Sequence, residues 1–224
     1  HVGVMLDAFR SISGDPTLTL EETTRLSTNI VTPDWLLDNL CGDATQPPVG
    51  AVLAPLDNAY FAPADDLTGE PRTLGFGQGT SVDFAYDGDV VHHEVAHAMQ
   101  AEVAQIGAYY LPDAYGLRGD QGALSEGNAD FWSSVVMGDP EVGEYAGAGV
   151  GSTLPSGALR SLENDVVCPR DFVGEGHEDG RVWGGVLWDI REGATQDERL
   201  EVEQGLFAAM ATTTEAMNPA PSPA

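Results

Sequence analysis

The segment that most constrains this chain is Val91-His92-His93-Glu94-Val95-Ala96-His97. On a helix, positions four apart lie on one face, so His93 and His97 present two imidazoles to a single point. Glu94, their neighbour, is placed to reach a water held at that point. Two ligand side chains on one stripe with a carboxylate base beside them is the arrangement that metal-assisted hydrolysis needs. The flanking Val90, Val95, Ala98, Met99 and Val103 are apolar enough to bury such a helix. The pattern predicts a helix from about Asp89 to Ala104, with acidic residues at its positive N-terminal end. His92 points to another face and reads as structural.

A catalytic zinc ion takes three protein ligands and leaves one position open, so a third ligand is expected downstream. The stretch Ser125-Glu126-Gly127-Asn128-Ala129-Asp130-Phe131-Trp132 offers it. Glu126 and Asp130 are again four apart, on a helix predicted from about Gly122 to Met137. The apolar neighbours Ala129, Phe131, Trp132, Val135 and Val136 bury that helix, and two buried carboxylates require partners. Glu126 is therefore the expected third ligand. Asp130 is expected to bond the far ring nitrogen of His93 and fix its orientation.

Elsewhere the texture changes along the chain. Residues 1 to about 45 read as mostly helical. Val2, Met5, Leu6 and Phe9 recur at helical spacing, and Thr32-Pro33-Asp34 reads as the start of a second helix. Between about 50 and 88, short β-like pieces at Ala51–Ala54, Asn58–Phe61, Thr73–Phe76 and Ser81–Tyr86 point to a small sheet. A Gly-rich loop over Gly147–Gly157 and helices near Gly180–Glu192 and Asp197–Met217 follow. The Pro-rich stretch 218–224 reads as a linker. Sheet first and helices later gives an α+β expectation with two lobes. Their limits are 1–105, holding the sheet and the HExxH helix, and 106–217, mainly helical with the third ligand.

The 224 residues carry 36 acids against 9 basic residues, all Arg, for a net charge of −27. Such a surface repels nucleic acid and anionic membranes, and reads as a solvated acidic exterior. No apolar run is long enough to span a bilayer. The N-terminus lacks signal-peptide features, and the chain reads as a piece cut from a longer precursor. Cys41 and Cys168 fit no CxxC metal pattern; in a secreted protein they would form one disulfide.

At its metal-binding motifs the chain resembles the gluzincin metallopeptidases, especially the thermolysin-like and fungalysin-like families, over about residues 50–195. The resemblance implies a two-lobed zincin fold, with a small mixed sheet, an active-site helix and a mainly helical C-terminal lobe. It implies one catalytic Zn²⁺ and endopeptidase activity on protein or peptide substrates. Asp57-Asn58-Ala59-Tyr60 looks like the family's substrate-pairing edge strand, with Asn58 and Ala59 at the substrate. Leu74-Gly75-Phe76-Gly77-Gln78-Gly79 looks like the strand and turn before the active-site helix. Arg160, in Leu159-Arg160-Ser161-Leu162, looks like the Arg that binds the carbonyl beyond the cut. His177, with Leu187-Trp188-Asp189 downstream, looks like the second catalytic His, partnered by Asp171 or Glu175. The family's catalytic Tyr falls on Tyr115, with Tyr109 and Tyr110 as alternatives, because the gap from His97 to Glu126 is longer than in thermolysin-like enzymes. An inhibitory N-terminal propeptide and secretion are further implications, and no Ca²⁺ site can be matched residue by residue. The contrasting expectation is a catalytically inactive, zinc-containing binding or structural module of a larger cell-surface protein. The motif that exopeptidases of this group use for a free amine is not recognisable.

Overall fold

The computed structural model describes residues 1–20, 24–33, 53–64, 67, 69–104, 111–113 and 116–212. The architecture is mixed α+β. Helix α1, Val2–Ser13, buries Met5, Phe9 and Ile12 and stops at Gly14, whose φ of 70° suits a residue without a side chain. A four-stranded sheet follows: β1 Arg25–Pro33, β2 Leu53–Pro55, β3 Ala59–Ala62 and β4 Thr73–Gly77, in the order β2-β1-β4-β3. β1 and β4 run parallel; the β1–β2 and β3–β4 pairs are antiparallel.

Strand β1 corrects the expectation of a helical first 45 residues. Arg25–Pro33 is rich in β-branched side chains (Thr28, Ile30, Val31, Thr32), which suit a pleated surface. Its alternation is broken by a register shift between Ser27 and Ile30, where Asn29 sits at φ 57°. Thr32 and Pro33 end this strand, paired with Ala54 and Leu53, rather than opening a helix. Proline at the first turn of a helix and proline at a strand end obey the same rule: neither site needs the missing N–H. The rest of that expected helix lies outside the described residues, as do residues 51 and 52 of the first β-like piece and the stretch 213–224. Ser81–Tyr86 is also not a strand. Asp83 accepts a hydrogen bond from Ala85 N at 2.9 Å and folds Phe84–Tyr86 into a 3₁₀ turn.

Helix α2, Gly88–Val103, lies behind the sheet and is buried on most of its faces. Asp87 caps it, accepting from Asp89 N and Val90 N, while its second oxygen accepts from Ala146 N at 2.7 Å. Helix α3, Asp120–Met137, packs on α2, and Ser133 Oγ donates to the Asp89 carbonyl between them. Two short antiparallel strand pairs flank α3: β5 Leu111–Asp113 with β6 Gly116–Arg118, and β7 Glu141–Val142 with β8 Arg160–Ser161. Helix α4, Glu144–Val150, occupies the start of the expected Gly-rich loop. Helix α5, Gly176–Glu192, lies along α3, and α6, Arg199–Thr212, closes the bundle.

One hydrophobic core joins these parts. Phe9, Trp132 and Phe207, from α1, α3 and α6, form an aromatic triangle with ring separations of 5.6, 5.8 and 6.0 Å. Each such buried ring contributes about 1.5–3 kcal/mol through removal of apolar surface from water. α1 is thereby tied to helices at the far end of the sequence. Among the described residues, no helix is long and apolar enough to cross a membrane.

Candidate metal centre and cleft

α2 and α3 bring together the two motifs that lie 29 residues apart between His97 and Glu126. His93 and His97 point from one face of α2, with their Nε2 atoms 3.0 Å apart. Glu126 Oε2, on α3, lies 3.1 Å from His93 Nε2 and 3.4 Å from His97 Nε2. One ligand atom from each residue falls within 4.8 Å of the others, so the three can hold a metal ion. Three lone-pair-bearing atoms converge here in a buried place, and a proton satisfies fewer of them than a cation would. Two imidazoles and one carboxylate form a donor set suited to zinc and related divalent ions rather than to calcium. The residues therefore fit a metal.

The outer ring nitrogens also have close polar neighbours. His93 Nδ1 approaches Asp130 Oδ1 to 2.8 Å. His97 Nδ1 lies 3.0 Å from Ser125 Oγ, and Gln100 donates to the Ser125 carbonyl at 3.0 Å. Ser125 was absent from the sequence-derived set. A hydroxyl one residue before the acidic ligand is the only local signal for it, and that signal is weak. Asp130 is in turn clamped by Arg160, whose Nε and Nη2 donate at 2.6 and 2.7 Å in a bidentate pair.

Electrostatics follow from burial and these contacts. Burial alone would lower the His93 pKa, but Asp130 and Glu126 outweigh it and raise it to about 10. Burial would raise the Glu126 and Asp130 carboxyls, yet both are held below the usual range, Glu126 by the imidazoles and Asp130 chiefly by Arg160. Burial pushes Glu94 up, only partly offset by His93 and His97. His92 is buried with no hydrogen-bond partner on either ring nitrogen. Burial, then the positive N-terminus, lowers its pKa to about 4. Its ring packs edge-on to His1 at 5.3 Å, a structural placement.

His177, on the first turn of α5, reaches the same place. Its Nε2 is 3.3 Å from Glu126 Oε2 and its Nδ1 is 2.7 Å from Glu175 Oε1. Of the two acidic partners considered for it, the structure selects Glu175; Asp171 pairs with Arg170. A small recess lined by Asn58, Ala59, His93, Glu94, Arg160 and His177 opens into a cleft of about 500 Å³. Asn58 and Ala59 stand at the start of β3, an edge of the described sheet. The apolar wall, Phe84 and Leu159, was not singled out by the sequence. Arg160 lines the cleft, but its guanidinium is committed to Asp130.

Tyr115, Tyr109 and Tyr110 lie outside the described residues, as does Cys41; Cys168 is exposed and has no disulfide partner among the described residues. No protein-family model matches this chain, and no curated protein matches it.

Proposed function

We propose that this chain is a zinc-dependent endopeptidase of zincin architecture, acting on protein or peptide substrates. The observation that carries the proposal is the convergence of His93, His97 and Glu126 within 4.8 Å, with Glu94 at the wall of a cleft beside them. His93, His97 and Glu126 would hold the metal. The chemistry zinc supplies when bound is a more acidic water and a polarised carbonyl.

The remaining work falls to the chain's own groups. Glu94 takes a proton from the attacking water and delivers it to the leaving amine. Its burial favours a carboxyl able to carry that proton. His177, oriented by Glu175, donates a hydrogen bond toward the oxygen on which negative charge develops. Asp130 and Ser125 fix the two ligand imidazoles. Strand β3, an edge of the described sheet that starts beside Asn58 and Ala59, suits an extended peptide laid along it. Arg160 both anchors Asp130 and faces the cleft beyond the cut.

The test measures zinc per chain and casein cleavage in wild type and Glu94→Gln. One zinc in both, with chelator-sensitive cleavage in wild type alone, is the expected result. One zinc in both with cleavage by neither would favour a binding module. Zinc in neither would remove the proposal.

A further inference from the structure

The cleft outside the Glu94 recess carries an unbalanced charge. Of its described lining residues, Asp57 and Arg160 bear formal charge. Arg160 is largely neutralised locally, because its Nε–Nη2 edge is spent on the Asp130 carboxylate at 2.6 and 2.7 Å. Asp57 has no such counterpart. It lies in the loop between β2 and β3, next to Asn58, and among the described residues no cation pairs with it.

Its carboxylate is nonetheless fixed. Thr80 N donates to Oδ1 at 2.5 Å and Thr80 Oγ donates to Oδ2 at 2.6 Å. Thr80 itself lines the cleft, just past Gly79, whose φ of 66° turns the chain so that the Thr80 N–H meets Asp57. Two bonds occupy about half of the lone-pair sites of a carboxylate, so acceptor capacity remains free toward the cleft. A fixed, exposed and uncompensated carboxylate loses little entropy on pairing with a ligand cation. The chain's net charge of −27 adds a long-range field of the same sign.

We propose that Asp57 is a specificity-determining residue that selects a cationic side chain, Arg or Lys, in the bound peptide. The proposal rests on the peptidase reading above. Glutamate at the selected position meets the like charge of Asp57, which disfavours it.

The test uses the zinc-loaded enzyme and a set of peptides identical except for Arg, Leu or Glu at each of the three positions on either side of the cut. Wild type is expected to favour Arg over Leu by about threefold and over Glu by about tenfold in kcat/KM, the range of a solvent-exposed ion pair plus like-charge repulsion. The preference should shrink between about 0.05 M and about 0.5 M salt as screening shortens. In Asp57→Asn, which can still accept from Thr80 N, the Arg/Glu ratio should fall toward one, and Asp57→Glu should restore it. Ratios rather than rates are compared, so a general loss of activity does not mimic the effect. Wild type that cleaves all three peptides equally, or Asp57→Asn that keeps the full ratio, overturns the assignment while leaving the peptidase reading intact. Cleavage of none of the peptides by wild type removes both.

Discussion

Asp130 links the metal centre to the cleft: one oxygen faces His93 Nδ1 at 2.8 Å, and both meet the Arg160 guanidinium. It is almost wholly inaccessible, so its charge depends on those partners. Arg160→Met should therefore lower stability by about 3–5 kcal/mol, since one member of a buried pair is left uncompensated; urea unfolding reads this directly. Stability within about 0.5 kcal/mol of wild type would mean that Asp130 finds another partner. Asp130→Asn should weaken metal binding about 10–100-fold without removing a ligand, and competition with a chromophoric chelator measures it. Glu94→Gln should retain the metal and lower turnover by about 10²–10⁴-fold. The i, i+4 pairs and Glu94 are legible at this scale because helical geometry alone places them. Arg160 is not: its tie to Asp130 spans 30 positions and exists only after β8 pairs with β7.

The elements decide how closely the motifs meet. α5 crosses α3 at glycines: a Cβ on Gly127 would clash with the Gly180 carbonyl, and one on Gly184 would press on Leu162. This near contact of backbones is what lets His177 reach Glu126 at 3.3 Å. Gly127→Ala should force the helices apart, lower stability by about 1–3 kcal/mol and lower turnover while the α2 ligand pair is kept. Thermal melting, zinc content and casein cleavage together separate these effects. α2 also carries a pH-dependent element. Asp89, in its first turn, is raised from 3.8 to about 8, chiefly by burial and then by the adjacent Glu144. Its protonated form is favoured by folding, so its contribution is complete below about pH 4 and is lost as pH rises through about 8. Melting temperatures across that window should fall less steeply in Asp89→Asn than in wild type; equal slopes would show that Asp89 does not titrate there. The sequence marks α2 and α3 through periodicity and misses β1, whose bulge at Asn29 breaks the alternation that identifies strands.

Across the molecule, the charge of −27 is uncompensated by any lysine. Mutual repulsion among surface carboxylates opposes the compact state and weakens as salt shortens the screening length. The melting temperature should rise between about 0.05 M and about 0.5 M sodium chloride. A flat or falling response would mean that the acids are already paired in the fold. The single core running from α1 through α3 to α6 makes the N-terminal helix part of the structure that supports the site. A repulsive surface is thus opposed by apolar burial drawn from both ends of the described chain.

By itself the sequence determined what local geometry can encode. Those features are two carboxylate- or imidazole-bearing helices, their buried faces, a small sheet before them and the acidic exterior. Each depends on spacing within a turn or two of chain, or on composition. Only the tertiary structure decided that Glu175 rather than Asp171 meets His177, that Ser125 holds His97, that Arg160 is spent on Asp130, and that Thr80 fixes Asp57. Those pairings join side chains whose proximity is set by helix crossings, a glycine turn and strand register. No periodicity records them, because which residues face one another across two packed elements depends on how closely and at what angle the backbones meet.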